Sequence, residues 1–350
     1  MPSCPHRCGV RNQRSSRAWR AYNADVRDVA RASALCTIGF RKVPSIFGIG
    51  LGAVGEPGKT GRRAMADVAL ITVHGMGETP RDYAADLAKR LRARIGPSFD
   101  RQVDMRSVYY QEILKPNEQE VWRRITGNST VRYAQLRMFR LLVFGAAAGL
   151  ENRKQQSGSV YELAQIEIAK TLLDAYVASG PAPVMLLSHS LGCQVLSSYI
   201  YDAQKARSGV PVAAGVWKDI DHWSRTLQGR ALTESEKAFL ACDTALGWIT
   251  TGCNIPIFVA AHKEMTIIPI AAPRPSFKWL NLYDPDDVLG WPLQPLSEGY
   301  RLLVEDRAIN AGGGVINFIV KSWNPMSHSS YWQDDEVIAP LAKMLTQLMR

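Results

Sequence analysis

From Met65 onward, short apolar runs of β-branched residues alternate with longer stretches in which apolar positions recur every three or four residues. That alternation predicts a parallel sheet with crossover helices. "VALITV", Val68 to Val73, reads as a buried strand. The following "GETPRDYAADLAKRLRARIG" predicts a helix with Thr79 as N-cap, Pro80 at the first helical position and Tyr83, Leu87, Leu91 and Ile95 on one face. "VDMRSVYY", Val103 to Tyr110, completes a β-α-β unit.

Residues 111–158 read as an inserted helical region. Its uninterrupted apolar part, Leu141 to Leu150, is too short to span a bilayer, which takes about 20 residues. The insertion is either a lid over an apolar pocket or a helix packed on the core, and core packing is the simpler expectation for an apolar helical face. "SVYELAQIEIAKTLLDAYVASG" predicts an amphipathic helix closed by Gly180 and Pro181. "PVMLLS" is then a buried strand and "LGCQVLSSYIYDAQKA" a helix. Further on, a helix is expected near Leu232 to Cys242, with strands at "ALGWITT", "KWLNLY" and "VINFIVKSW". The last helix is "EVIAPLAKMLTQLM", with Val337, Ile338, Leu341, Met344, Leu345 and Leu348 facing inward.

Charge changes this picture only at the N-terminus. Of the net charge of +10, the first 64 residues carry +9, so the rest is close to neutral and offers no charge argument for nucleic acid. Residues 1–64 are arginine-rich and lack apolar periodicity, and are expected to be a disordered extension. Because "MADVALITVHG" has the form of a natural start at Met65, the extension is read as a product of an over-long reading frame. Residues 65–350 form the folded domain. "CPHRC", Cys4 to Cys8, lacks a second ligand pair at zinc-finger spacing. Six cysteines in a chain this long make no disulfide framework, and Cys193, Cys242 and Cys253 lie in apolar surroundings typical of reduced thiols. A cytoplasmic location without a transmembrane segment follows as an expectation, with peripheral membrane contact left open.

The chemistry gathers around "LLSHSLG". Acyl transfer by serine needs an exposed hydroxyl, a base, an acid to orient the base, and N–H donors for the oxyanion. Ser190, after a buried strand and before a helix, is the candidate nucleophile on a sharp turn that demands small residues two before and two after it. Those are Ser188, where glycine is usual, and Gly192. In hydrolases of this topology the chain order is Ser, acid, His. His6, His74 and His189 do not follow the serine, and His222 and His262 precede the acid-bearing strand "KWLNLY", so His328 is the candidate base. "LYDPDDVLGWPL" offers three acids, Asp284, Asp286 and Asp287, and spacing does not choose among them. "VHGMGET" after the first strand points to Met76 as one oxyanion donor, and Leu191, after the nucleophile, is the other. His74 is read as a loop-shaping residue.

With "VHGMG", "LLSHSLG", "DPDDVLGWPL" and "SHSSYW" in this order, the chain from Met65 resembles an α/β-hydrolase of the lipase/esterase type. The resemblance implies a mostly parallel central sheet flanked by helices, with the helical insertion at 111–158. "DVLGWPLQPL" is similar, without a gap, to the D-P-V-A-Y-R-x-E-P-L stretch of intracellular DDHD-type phospholipases. That similarity puts the acid on Asp287. "VYYQEILKPNEQEVWRRI" and "GSVYELAQ" are similar to uncharacterised bacterial members of the superfamily. The implied activity is hydrolysis of a small-molecule carboxylic ester or thioester through Ser190, His328 and Asp287, with no metal or organic cofactor. The competing reading is a non-catalytic protein of the same fold that binds a small molecule or partner.

Overall fold

The computed structural model describes residues 65–76, 79–129, 131–152, 154–261, 267–311 and 331–349. Among them, six strands form one sheet in the order β2-β1-β3-β4-β5-β6: β1 (Val68–Val73), β2 (Val103–Val108), β3 (Val184–His189), β4 (Ala245–Thr251), β5 (Lys278–Tyr283) and β6 (Val304–Ala308). Every pairing is parallel. An all-parallel sheet needs cover on both faces, and the alternation within the central strands supplies two apolar surfaces. Val68, Leu70, Met185, Leu187, Ile249 and Leu282 face one core with α1 (Ala85–Ile95) and α7 (Asp335–Leu348). Ala69, Ile71, Val73, Leu186, Trp248 and Trp279 face the other, with α4 (Val160–Ser179) and α5 (Leu191–Arg207). This is the α/β-hydrolase fold expected from the sequence, with β3 at its centre.

The insertion comprises α2 (Gln111–Asn128) and α3 (Ala134–Glu151). Ala146 and Leu150 join the core cluster, as the core-packing expectation requires. Two local expectations are corrected. The helix predicted from Thr79 begins only at Ala85, and its N-cap Ala84 makes no side-chain cap bond. Tyr83 explains the delay: its hydroxyl lies 2.9 Å from both the Thr72 and the Val108 carbonyl oxygens, holding the chain over the strand ends instead of in a first helical turn. Helix α4 starts and stops as predicted, with Ser159 accepting from the Glu162 N–H and Gly180 closing it at φ 61°. Its buried face is broader than an amphipathic pattern gives, however, since Tyr161, Ala164, Ile166, Ile168, Ala169 and Leu172 are all buried. It packs against the sheet and against α3, α5 and α6 (Glu234–Leu240), which leaves only a narrow stripe with Leu163, Lys170, Asp174 and Val177 open to solvent.

At the sheet's far side, β6 has the sequence "VEDRA", which carries no strand pattern. It is the last strand of the sheet among the described residues, and Glu305 and Arg307 are exposed and pair with each other, as suits such a position. Asp306 accepts from the Leu293 and Gln294 N–H groups and from the Asn281 amide. The expected strand "VINFIVKSW" lies outside the described residues. No described helix is long and apolar enough to cross a membrane.

Candidate active site

Strand β3 delivers the chain to Ser190, and α5 leaves from Leu191. Between them Ser190 sits at φ 51°, ψ −122°, a region that non-glycine residues avoid at a cost of about 1–3 kcal/mol. The turn is held from both sides: the Ser190 N–H donates to Thr251 O at 3.0 Å, and Ser190 O accepts from the Cys193 N–H at 3.0 Å. Two glycines make room for it. A Cβ on Gly192 would run into the His74 carbonyl oxygen and come within 2.7 Å of Val73 O, both backbone atoms that cannot yield. A Cβ on Gly75 would come within 2.7 Å of the Ser190 Cβ. The loop after β1 therefore passes directly against the serine, and helix α5 closes onto that loop.

Ser188, which stands where glycine is usual, is fully buried. Its hydroxyl accepts from the Trp248 indole N–H at 2.9 Å and donates to the Cys193 sulfur at 3.2 Å. The extra atom is thus satisfied twice and fills a place between β4 and the first turn of α5. Ser190 itself has no exposed surface.

His74 is buried in the β1 loop and its ring is committed. Nε2 accepts the Tyr110 backbone N–H at 3.2 Å, which leaves the proton on Nδ1 to donate to Gly75 O at 2.6 Å. The Tyr110 ring stacks on it at 4.2 Å, and the Tyr110 hydroxyl donates to His74 O. Burial lowers its pKa from 6.5 to about 4, against a smaller opposing effect of the Gly75 hydrogen bond, so the ring is neutral at physiological pH. It fixes the loop, as expected, and has no nitrogen left to act as a base.

The three carboxylates after β5 separate by environment. Asp284 is buried and its Oδ1 accepts from the Asp286 N–H, the bond of a side-chain-closed turn. Asp286 is exposed. Asp287 is buried, with Oδ1 accepting from the Leu289 N–H at 2.9 Å and Oδ2 accepting from the Tyr331 hydroxyl at 2.9 Å. The same Tyr331 oxygen accepts the Asp284 N–H at 2.8 Å, so one phenol spans the turn. Its pKa is raised by burial and by the charge of Asp287, which keeps it a donor.

Four residues unforeseen from the sequence, His189, Thr251, Tyr331 and Trp332, frame the serine. The His189 ring, adjoining Ser190, has Nδ1 3.1 Å from both Thr251 O and Oγ1, and packs near Tyr331 and Trp332. The Trp332 indole donates to Thr251 Oγ1, which in turn donates to Ser188 O. Only "SHSSYW" and the end of "ALGWITT" hinted at them, as the segments adjoining the expected histidine and strand end.

Of the expected site residues, Ser190, Leu191, Met76 and Asp287 all lie at the C-terminal ends of β1, β3 and β5 or in the segments that follow them, the edge where parallel sheets hold their functional groups. Met76 packs against the core and Leu191 is buried at the start of α5, where helical N–H groups have no partner within the helix. His328 and His262 lie outside the described residues, as does the "CPHRC" segment. His222 is exposed on the helix Ile220–Gln228. Among the described residues no group of three or more His, Cys, Asp or Glu could hold a metal ion.

No family model matches the chain, so the short likeness to DDHD-type phospholipases gains nothing from that side. No curated protein matches it either. Among solved structures, the chain is similar to an acetyl xylan esterase, in an iodinated complex at 9% identity and TM-score 0.36 and in a second structure at 9% and 0.37. Both cover 81% of this chain and 99% of theirs. A cutinase-like protein from Cryptococcus sp. is similar at 10% identity and TM-score 0.34, covering 81% of this chain and 94% of its own.

Proposed function

We propose that the protein is a serine hydrolase acting on a carboxylic ester or thioester through an acyl-enzyme, with Ser190 as nucleophile, His328 as base and Asp287 as the acid that orients it. The observation that carries this reading is the strained turn at Ser190. A non-glycine residue held at φ 51° between strand and helix, with glycines shaped around it on two sides, is a costly arrangement that a mere connecting loop does not need.

The chemistry follows from the surroundings. His328 takes the Ser190 proton as the hydroxyl attacks the carbonyl, then returns it to the leaving alcohol or thiol; water completes deacylation by the same route. Asp287 accepts from the Leu289 N–H and from the Tyr331 hydroxyl. Those two bonds hold the carboxylate plane in place, as orienting an imidazole N–H requires. The Leu191 N–H, at the positive end of α5, and the Met76 N–H stabilise the oxyanion. The contact of the Gly75 position with Ser190 supports a donor from the β1 loop, because it brings that backbone to the reacting serine.

Covalent labelling tests this. Since Ser190 has no exposed surface, a small sulfonyl fluoride is run beside a fluorophosphonate. Wild type is expected to label with one or both and to hydrolyse a p-nitrophenyl ester series, with Ser190→Ala and His328→Ala losing both. Undiminished labelling of Ser190→Ala rejects the nucleophile; a wild type inert to both probes turns the reading to a non-catalytic binding protein.

A further inference from the structure

Helices α2 and α3 form a hairpin that is anchored at one end. Each has 18 residues, so each is about 27 Å long. Among the described side chains, those buried on α3 are Val143, Ala146 and Leu150, all in the half away from the turn, and the one buried on α2 is Gln111, its first residue. That base adjoins the site, because Tyr110, the residue before α2, holds His74. Toward the turn, the described side chains of residues 121–140 are exposed or half-buried.

Residues 121–150 have a composition unlike the rest of the domain. Between Val121 and Leu150 there are five arginines, Arg123, Arg124, Arg132, Arg137 and Arg140, and no acidic residue. Arg123 and Arg124 pair with Glu120, whereas Arg132, Arg137 and Arg140 form no ion pair with any described residue. Interleaved with them are large apolar side chains open to solvent: Tyr133 at 78% exposure, Phe144 at 62%, and Val121 and Ile125 at 43% each. On α3, Arg137, Arg140, Phe144 and Ala148 follow one another at spacings of three and four, so they share the face opposite the buried one. Val121 and Ile125 likewise share a face of α2.

We propose that the α2–α3 hairpin docks the protein on an anionic lipid surface. A basic face that also carries exposed aromatic and aliphatic side chains matches the interface of a bilayer, where acidic headgroups meet the arginines and apolar side chains enter the acyl boundary. A nucleic acid would answer the arginines alone and leave Phe144, Val121 and Ile125 exposed. Docking at the turn would stand the hairpin's base, with His74 and the β1 loop, over the lipid.

The experiment is co-sedimentation of the full chain with vesicles of phosphatidylcholine alone and with about 30 mol % phosphatidylserine, in low and moderate salt. The basic N-terminal residues are the same in every variant, so differences report the hairpin. Binding is expected only with phosphatidylserine and to weaken with salt. Arg132→Glu/Arg137→Glu/Arg140→Glu should lose at least about tenfold in partition coefficient, at roughly a kilocalorie for each basic side chain at the surface. Ile125→Ser/Phe144→Ser should weaken binding severalfold with its salt dependence retained, and melting temperatures of both variants should match wild type. The proposal is overturned by a triple variant that binds as wild type does, by equal binding to phosphatidylcholine alone, or by tighter, equally arginine-dependent binding to duplex DNA.

Discussion

The turn at Ser190 and the α2–α3 hairpin adjoin one another, joined through His74 and Tyr110, yet they are built on opposite principles. At the turn nearly every polar group has a partner inside the protein: Ser188 between Trp248 and Cys193, Thr251 between Trp332 and Ser188, Asp287 between Leu289 and Tyr331. Backbone passes backbone so closely that no methyl group fits at Gly75 or Gly192. In the outer half of the hairpin the described side chains are exposed or half-buried, and its exposed ion pairs, such as Arg123 with Glu120, contribute little. One region is over-determined and stores strain; the other has room and loose partners. Substitutions should therefore act on stability in the first and on surface recognition in the second.

Gly192→Ala is the strongest way to break this contrast. The added methyl would meet the His74 and Val73 carbonyl oxygens, and relief requires α5 or the β1 loop to move. Thermal unfolding should show a loss of about 3 kcal/mol or more, roughly 6–12 °C in Tm, together with loss of serine labelling. A variant that melts like wild type would mean that the helix does not close onto the loop as described.

A second effect is read against pH. His74 titrates near 6.5 in the unfolded chain and near 4 when folded, so the unfolded state binds more protons between those values. The stability owed to its neutral ring is complete above pH 6.5 and is eroded as pH falls toward 4, by about 3 kcal/mol in all. In urea unfolding, the advantage of wild type over His74→Gln should shrink steadily from pH 7 to pH 4.5. An advantage that stays constant would show that the ring is not held neutral by burial. The hairpin arginines stay charged throughout that range, so replacing them with glutamine, which does not titrate, should leave the pH profile unchanged.

How much of this could be read from the chain divides along the same line. The strands of the sheet centre were legible because burial on both faces forces a β-branched, uninterrupted pattern, as in "VALITV" and "PVMLLS". The elbow was legible because strain admits few residue types, and Ser190 with Gly192 obey that restriction. Strand β6 was not, since "VEDRA" is shaped by its exposure and by the duties of Asp306. The start of α1 was misjudged because Tyr83 is held by a carbonyl on β2, 25 residues away, which no local capping signal reveals. Tyr331 and Trp332 escaped for the same reason: their partners, Asp287 and Thr251, are close in space and distant in sequence. Among the three acids, local spacing was silent, whereas burial separates Asp286 from the others and hydrogen bonding separates Asp284 from Asp287.

The smallest effect sharpens the comparison most directly, because it repeats the first substitution on the other helix pair. Gly145 lies within α3, and a Cβ there would have the Glu118 Oε1 at 3.7 Å as its nearest neighbour, an ordinary contact. A glycine inside a helix costs about 0.5–1 kcal/mol relative to alanine, and here no close approach of backbone requires it. Gly145→Ala should therefore stabilise by up to about 1 kcal/mol, raising Tm by roughly 2–4 °C. Serine labelling should be untouched. The same methyl group, added in one helix beside the serine and in one helix of the hairpin, is thus expected to change stability with opposite sign. A destabilised Gly145→Ala would mean that the hairpin is packed as tightly as the elbow, and the distinction between the two regions would fall with it.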